Sequence, residues 1–311
     1  MQGARGTADG GENEGASDHP VGFTTPLDGI DEEWLASLRS RFECLRGDRA
    51  APPAVSIVVP VNAQEDLTTV MGIVEDAARY GGRHTLEVVL VVNNYPPDEP
   101  PDAVDAYTEL GLRTVTVPNV HTPGEAVCFS ARLPGLRSAA SDHVVFWDAD
   151  CKVSDPTAVV DWYVARLSAG ASAAYTRVDY YEFRDLWSVR LRIVAHHGAR
   201  WVKRAVLRIP TLRGSNYAVQ REAMLRLHDA GLLSDDLNVG PAMRAAGGTC
   251  VYSGDRRLAV LTSGRRFTGG WRKLAHYLRY RLVYNVRMLP VGPAAKARAR
   301  YHATNSRKAR T

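Results

Sequence analysis

The 311-residue chain has four cysteines, Cys44, Cys128, Cys151 and Cys250, and none stands in a CxxC pair or at zinc-finger spacing. That scarcity excludes a disulfide framework and points to buried free thiols in a reducing, cytosolic compartment. Long hydrophobic runs are missing as well. The longest strongly apolar run, Val88 to Val92, is a strand's length, far below the ~20 residues of a membrane-spanning helix. The N-terminus shows no basic-then-apolar signal pattern. No strand pattern is followed by GxGxxG or GxxxxGK[ST], which excludes a dinucleotide fingerprint and a phosphate-binding P-loop. Acidic residues are absent from Gly264 to Thr311, which holds thirteen Lys and Arg. The formal net charge of +5 is therefore a property of the C-terminus, and the rest of the chain is net acidic. A local basic tail without a nucleic-acid-binding motif argues against a specific nucleic-acid partner.

What is present is enough apolar residue, 45%, for one large core or two modest ones. Residues 1–27 are rich in Gly, Asp, Glu, Thr and Ser and read as a disordered leader. An N-terminal helix is expected within 28–50: Trp34, Leu38, Phe42 and Leu45 recur at helical spacing, and Gly47 is placed to stop it. Val55 to Val59 reads as a strand cut off by Pro60, and Asn62 as the cap of a helix whose inner face is Leu67, Val70, Met71, Val74 and Ala78. Leu86 to Val92 is a strand covered on both faces, ending at Asn93-Asn94. A short helix at 103–110, a strand at 113–117 and a helix at 125–138 follow. This alternation implies an α/β fold, an open, doubly wound, mainly parallel sheet, whose ligands lie outside the carboxyl ends of the strands. Residues 51–152 form its first half and 153–263 a second, with a helix at 157–168, a strand at 173–177, an aromatic loop at 179–183 and a basic helix at 186–207. His196 and His197 are adjacent, so they cannot share a helix face as a metal pair.

The stretch that organises the chain runs from His143 to Lys152, an apolar strand ending in Asp148-Ala149-Asp150. Strand alternation would turn both carboxylates to one side. Two close carboxylates suit a hard cation, Mg²⁺ or Mn²⁺, with coordination positions left for phosphates. A second pair, Asp235-Asp236, follows Ser234 at the start of a helix, where capping alone is the simplest role. Arg213-Gly214-Ser215-Asn216 precedes it.

Taken together, Pro60-Val61, Asn93-Asn94, Asp148-x-Asp150, Gly214-Ser215-Asn216 and Ser234-Asp235-Asp236, in that order over 55–262, resemble family 2 glycosyltransferases of the GT-A fold. The resemblance implies an inverting, metal-dependent transfer of a sugar from a nucleoside diphosphate to a hydroxyl acceptor. It gives metal and nucleotide binding to Asp148 and Asp150, with Asp150 the direct ligand, and the catalytic base to Asp236 beside Asp235. The donor's base is expected over Pro60 and Val61 and beside Asn94, with Arg132 near the ribose or diphosphate. The family usually has Asp-Asp at the Asn93-Asn94 position, but an amide carbonyl still accepts an imide N–H, which favours UDP or dTDP. Leu133 stands where the family has Asn, and Asp235 where it has Glu. Arg265 and Arg266, between Gly264 and Gly269-Gly270, read as a loop closing over the diphosphate. Beyond them, residues 264–311 carry an amphipathic basic stripe, Trp271, Leu274, Leu278, Leu282, Val286 and Leu289, which either packs on the core or contacts a membrane peripherally. The acceptor is expected to be a small or lipid-linked molecule. Two other classes share parts of this layout: a sugar-phosphate nucleotidyltransferase, and a non-catalytic nucleotide- or membrane-binding protein.

Overall fold

The computed structural model describes residues 31–48, 50–182 and 187–264, with Ala275 and Arg279. The leader, Phe183, Leu186, Arg265-Arg266 and the C-terminal stripe and tail lie outside the described residues. Helix α1 (Glu32–Arg46) is capped by the Asp31 side chain, which accepts from the Glu33 N–H, and ends at Gly47, whose φ of +64° suits glycine. Strand β1 (Val55–Asn62), helix α2 (Val70–Ala78), strand β2 (Leu86–Asn93), helix α3 (Ala103–Glu109), strand β3 (Arg113–Val117), short helices α4 (Val127–Ser130) and α5 (Leu133–Ser138) and strand β4 (His143–Trp147) follow. The second half comprises β5 (Lys152–Val153), α6 (Pro156–Ser168), β6 (Ala173–Thr176), β7 (Val178–Tyr181), α7 (Trp187–Ala205), β8 (Asn216–Gln220), α8 (Arg221–Asp229), α9 (Asp236–Ala245), β9 (Cys250–Ser253) and β10 (Val260–Ser263).

The main sheet runs β3-β2-β1-β4-β8-β6-β9, parallel except for β8, which is antiparallel to both β4 and β6. Every residue of β2 is buried because the sheet is covered on both sides. One face packs against α1, α2 and α6 through Phe42, Val74, Val160 and Tyr163. The other packs against α5, α8 and α9 through Leu136, Met224, Val239 and Met243. A small sheet, β5-β10-β7, stands beside the carboxyl end of β4. No helix among the described residues is long and apolar enough to cross a membrane.

Several local expectations change. Pro60 does not end β1: pairing with β2 continues to Asn62↔Asn93, whereas the β4 ladder stops at Val58↔Phe146. With one neighbour instead of two, the strand tolerates a residue that cannot donate. Asn62 does not cap α2, which starts eight residues later. Its side chain accepts from the Gln64 N–H and from Asn94. The helix expected over 125–138 breaks into α4 and α5 at Ala131-Arg132, just ahead of Pro134. The aromatic stretch 178–181 is a strand because β10 pairs with it. All four cysteines are free, but Cys44 and Cys128 are exposed, so only part of the thiol expectation holds.

Candidate functional site

Strand β4 stops at Trp147, so Asp148, Ala149 and Asp150 form a turn closed by the Cys151 N–H on the Asp148 carbonyl, 3.0 Å. Alternation along a strand is therefore not what brings the carboxylates together. The turn itself gathers carboxylate oxygens of Asp148 and Asp150 and the Cys151 sulfur within 4.8 Å of one another. Burial pushes the Cys151 thiol well above its usual range, with the Asp148 and Asp150 charges adding to the effect. It stays protonated and its S–H points to the Ser215 carbonyl at 3.3 Å, leaving the two carboxylates as the hard donors. Asp150 is anchored from the small sheet: its Oδ1 accepts from Thr262 at 3.2 Å, and its carbonyl accepts from the Tyr181 hydroxyl at 2.7 Å.

The break between α4 and α5 aims Arg132 across the carboxyl end of the sheet. Its side chain is 1% exposed and bridges two acids, donating through Nη2 to Asp148 and through Nη1 to Asp236 at 2.7 Å. Nη1 also donates to the Cys128 carbonyl at 2.7 Å. Burial opposes the guanidinium charge, but the Asp236 and Asp148 carboxylates outweigh it and hold the group firmly protonated. Asp236 is buried, and its other oxygen accepts from the Tyr217 hydroxyl at 2.9 Å. Burial raises its pKa to about 6, against the Arg132 charge, while Asp235 and Asp148 push it up further. A helix N-terminus favours the charged form, but removal from water dominates here.

The two adjacent acids divide their tasks. Asp235 caps α9, its side chain accepting from the Leu237 N–H at 3.0 Å in a capping box with Asn238. Asp236, one position on, turns inward to Arg132 and Tyr217. Gly214 is required where this network is tightest. A Cβ there would lie 2.5 Å from Arg132 Nη2 and 2.8 Å from Asp236 Oδ2.

Of the residues expected at the nucleotide, Asn94 lies exposed at the end of β2, at φ +64°, donating to Asn62 Oδ1 at 2.8 Å. Pro60 is half-buried on the adjoining strand. Val61 departs from the expectation: it is completely buried and belongs to the core. Arg132 lies at the site, buried between the Asp148 and Asp236 carboxylates. Asp66 was missed. Its Oδ2 accepts from the Asn62 N–H at 3.1 Å, and its pKa is raised by burial, against that bond, with Asp150 and Asp148 contributing. Tyr217 and Thr262 were missed too. Both lie on short strands whose pairing partners are distant in sequence, and no local pattern marks them.

A family model described as "glycosyltransferase like family 2" matches residues 52–282. The chain belongs to that family. Its activity is accordingly that of a family 2 glycosyltransferase. Among solved structures, a mannosyltransferase from Pyrobaculum calidifontis in complex with GDP-Man and Mn²⁺ is 16% identical, covering 88% of this chain and 83% of its own, with a TM-score of 0.47. A glucosyl-3-phosphoglycerate synthase from Mycobacterium tuberculosis, in complex with Mn²⁺, UDP-Glc and phosphoglyceric acid, is 17% identical over 83% of each chain, TM-score 0.45. No curated protein matches. The architecture of this glycosyltransferase therefore rests on its own sheet order and on the family match.

Proposed function

We propose that this glycosyltransferase is an inverting, metal-dependent enzyme that moves a sugar from a pyrimidine nucleoside diphosphate, UDP or dTDP, to a hydroxyl acceptor. The observation that carries the reading is the Arg132 bridge, which joins Asp148 of the D-x-D turn to Asp236 at the start of α9. It sets a candidate donor site and a candidate base on two sides of one buried cation. The residues of the turn fit Mn²⁺ or Mg²⁺: two carboxylates offer hard oxygens within one ion's reach, and the protonated thiol does not compete. Asp150 would be the direct ligand and Asp148 the nucleotide-side carboxylate. A divalent ion bound there supplies Lewis-acid neutralisation of the charge developing on a leaving diphosphate.

The chain's own groups account for the rest. Asp236, with a pKa of about 6, is ionised near neutral pH yet basic enough to take a proton from an attacking hydroxyl. Tyr217 and Arg132 each hold one of its oxygens, fixing the carboxylate's orientation. With that base on the side of the sugar opposite the leaving group, the acceptor hydroxyl it deprotonates attacks the anomeric carbon in line as the nucleoside diphosphate leaves, so the anomeric configuration inverts. Asn94, exposed at the end of β2, supplies the amide that would accept the imide N–H of uracil or thymine. The test is a thermal-shift comparison of UDP, dTDP, GDP and ADP with and without Mn²⁺. Stabilisation by the pyrimidine diphosphates that grows with Mn²⁺ is expected. A shift with purine diphosphates alone would overturn the donor assignment.

A further inference from the structure

Helix α7 is amphipathic the wrong way round for a helix that packs only on its own domain. At 100° per residue, Trp187, Leu191, Val194, Trp201 and Val202 fall on one face with Ala195, Gly198 and Ala205, and this face points outward. Trp187 is 75% exposed, Val194 65%, Trp201 60% and Leu191 51%. The inward face packs only Val189 and Ile193 against Tyr180 and otherwise carries Arg192, His196 and Arg200: Arg192 and His196 are buried, Arg200 donates to the Thr211 carbonyl, and His197 beside them meets Asp179 at 3.4 Å. Water is a poor partner for a contiguous apolar stripe of this length.

The charge along α7 itself has one sign. From Trp187 to Leu207 the sequence holds Arg190, Arg192, Arg200, Lys203 and Arg204 and no Asp or Glu. At the C-terminal end of α7 a cleft of about 440 Å³ opens, lined by Trp201, Tyr175, Tyr252, Arg204, Arg208 and Arg244 among others, with no carboxylate in its wall. Arg204 stacks over the Tyr252 ring at 4.0 Å, and Arg244 donates to the Arg208 carbonyl, so two guanidinium groups are held at one opening that Arg208 also lines. Trp201 belongs to both features, to the apolar face and to the cleft.

We propose that α7 docks this protein on an anionic phospholipid surface, its apolar face entering the interface and Arg204, Arg208 and Arg244 receiving a lipid phosphate. Exposed tryptophans beside arginines are the composition of interfacial helices, and a helix and cleft wall without carboxylates match a negatively charged leaflet. Other occupants of an apolar face fit less well. The chain's own segment 264–311 has thirteen Lys and Arg and no acid, so it would bring like charge to a helix that is already basic. A second copy of α7 would do the same. The docking lies close to the chemistry: Tyr180, on β7, contacts both His196 and His197 of α7, and the adjoining Tyr181 holds the Asp150 carbonyl. The proposal does not depend on which sugar or nucleotide is used.

The test is flotation of the full-length protein with phosphatidylcholine vesicles that contain or lack phosphatidylglycerol. We expect salt-sensitive binding to the anionic vesicles, at least about tenfold stronger than to neutral ones. The triple variant Trp187→Ser, Leu191→Ser, Trp201→Ser should lose that binding while keeping its circular dichroism and melting temperature, because these side chains are exposed. Arg208→Gln with Arg244→Gln should lower it about tenfold or more. Inorganic phosphate at millimolar concentration separates a headgroup site from a phosphate site: a thermal shift with phosphate and no vesicle binding would mean a soluble phosphate ligand and would overturn the docking. Unchanged binding by the triple variant would transfer the contact to the basic C-terminus and refute the role of α7. Loss of a dimer in the triple variant, without vesicle binding by the parent, would make the face a self-association surface and refute it as well.

Discussion

Sugar transfer should rise with pH through about 6, because the reaction needs Asp236 ionised and burial holds its carboxyl near that value. With a single titration, about a tenth of the plateau rate remains one pH unit below it and about nine-tenths is reached one unit above. The cause is removal from water, opposed by Arg132, with Tyr217 also stabilising the charged form through its hydrogen bond. Tyr217→Phe removes that bond and should move the acid limb toward alkaline pH. A hydrogen bond to a charged group is worth ~1.5–3 kcal/mol, so the limb should move by about one to two. Asp236→Asn should abolish the limb and cut turnover by about 10²–10⁴-fold with nearly unchanged donor affinity. Stability follows with a defined sign. The folded value lies above the ordinary 3.8, so the stability this group contributes is fully present below about 3.8 and is lost as pH rises through about 6. Its upper bound is ~3 kcal/mol, from ~1.4 kcal/mol per pKa unit, and Asp236→Asn should remove this part of the pH dependence of melting. The assay is kcat/KM from pH 4.5 to 8.5 on parent and both variants. A parent limb near 4, or an Asp236→Asn enzyme with near-normal turnover, would refute the reasoning.

Asp150→Asn should lose most Mn²⁺-dependent donor binding in calorimetry; equal affinity for metal and donor in parent and variant would remove Asp150 as the ligand. Gly214→Ala places a Cβ 2.5 Å from Arg132 Nη2, so it should push the bridge apart, destabilise by ~1–3 kcal/mol and depress turnover. Denaturant melts with kinetics check both, and a silent Gly214→Ala would show that the network yields without consequence. Asp235→Asn should be mild, because Asn caps helices as well as Asp, whereas Asp235→Ala should cost ~1 kcal/mol through loss of the cap on the Leu237 N–H.

The alternation of Leu86 to Val92 with its flanking helices made the parallel half readable, because a strand buried on both faces leaves a continuous apolar run. The order of short motifs carried the family, since each sits at a strand or helix end. Features set by partners far along the chain were not readable. β8 is reversed between β4 and β6, and β7 becomes a strand only through β10. Local sequence gives no sign of either pairing. Arg132 could be placed near the site, but its buried position between Asp148 and Asp236 follows from the break ahead of Pro134 and from Gly214 more than eighty residues later. The raised pKa of Asp236 was not readable for the same reason: a helix start is local, whereas burial is tertiary. Val61 was assigned to the ligand together with Pro60 through the family resemblance, although its side chain is buried in the core.

The most direct measurement is proton NMR of the product formed from an α-linked UDP- or dTDP-sugar, a hydroxyl acceptor and Mn²⁺. A β-linked product is expected, formed only with the divalent ion and lost in Asp236→Asn. An α-linked product, or transfer that persists unchanged in that variant, would contradict it.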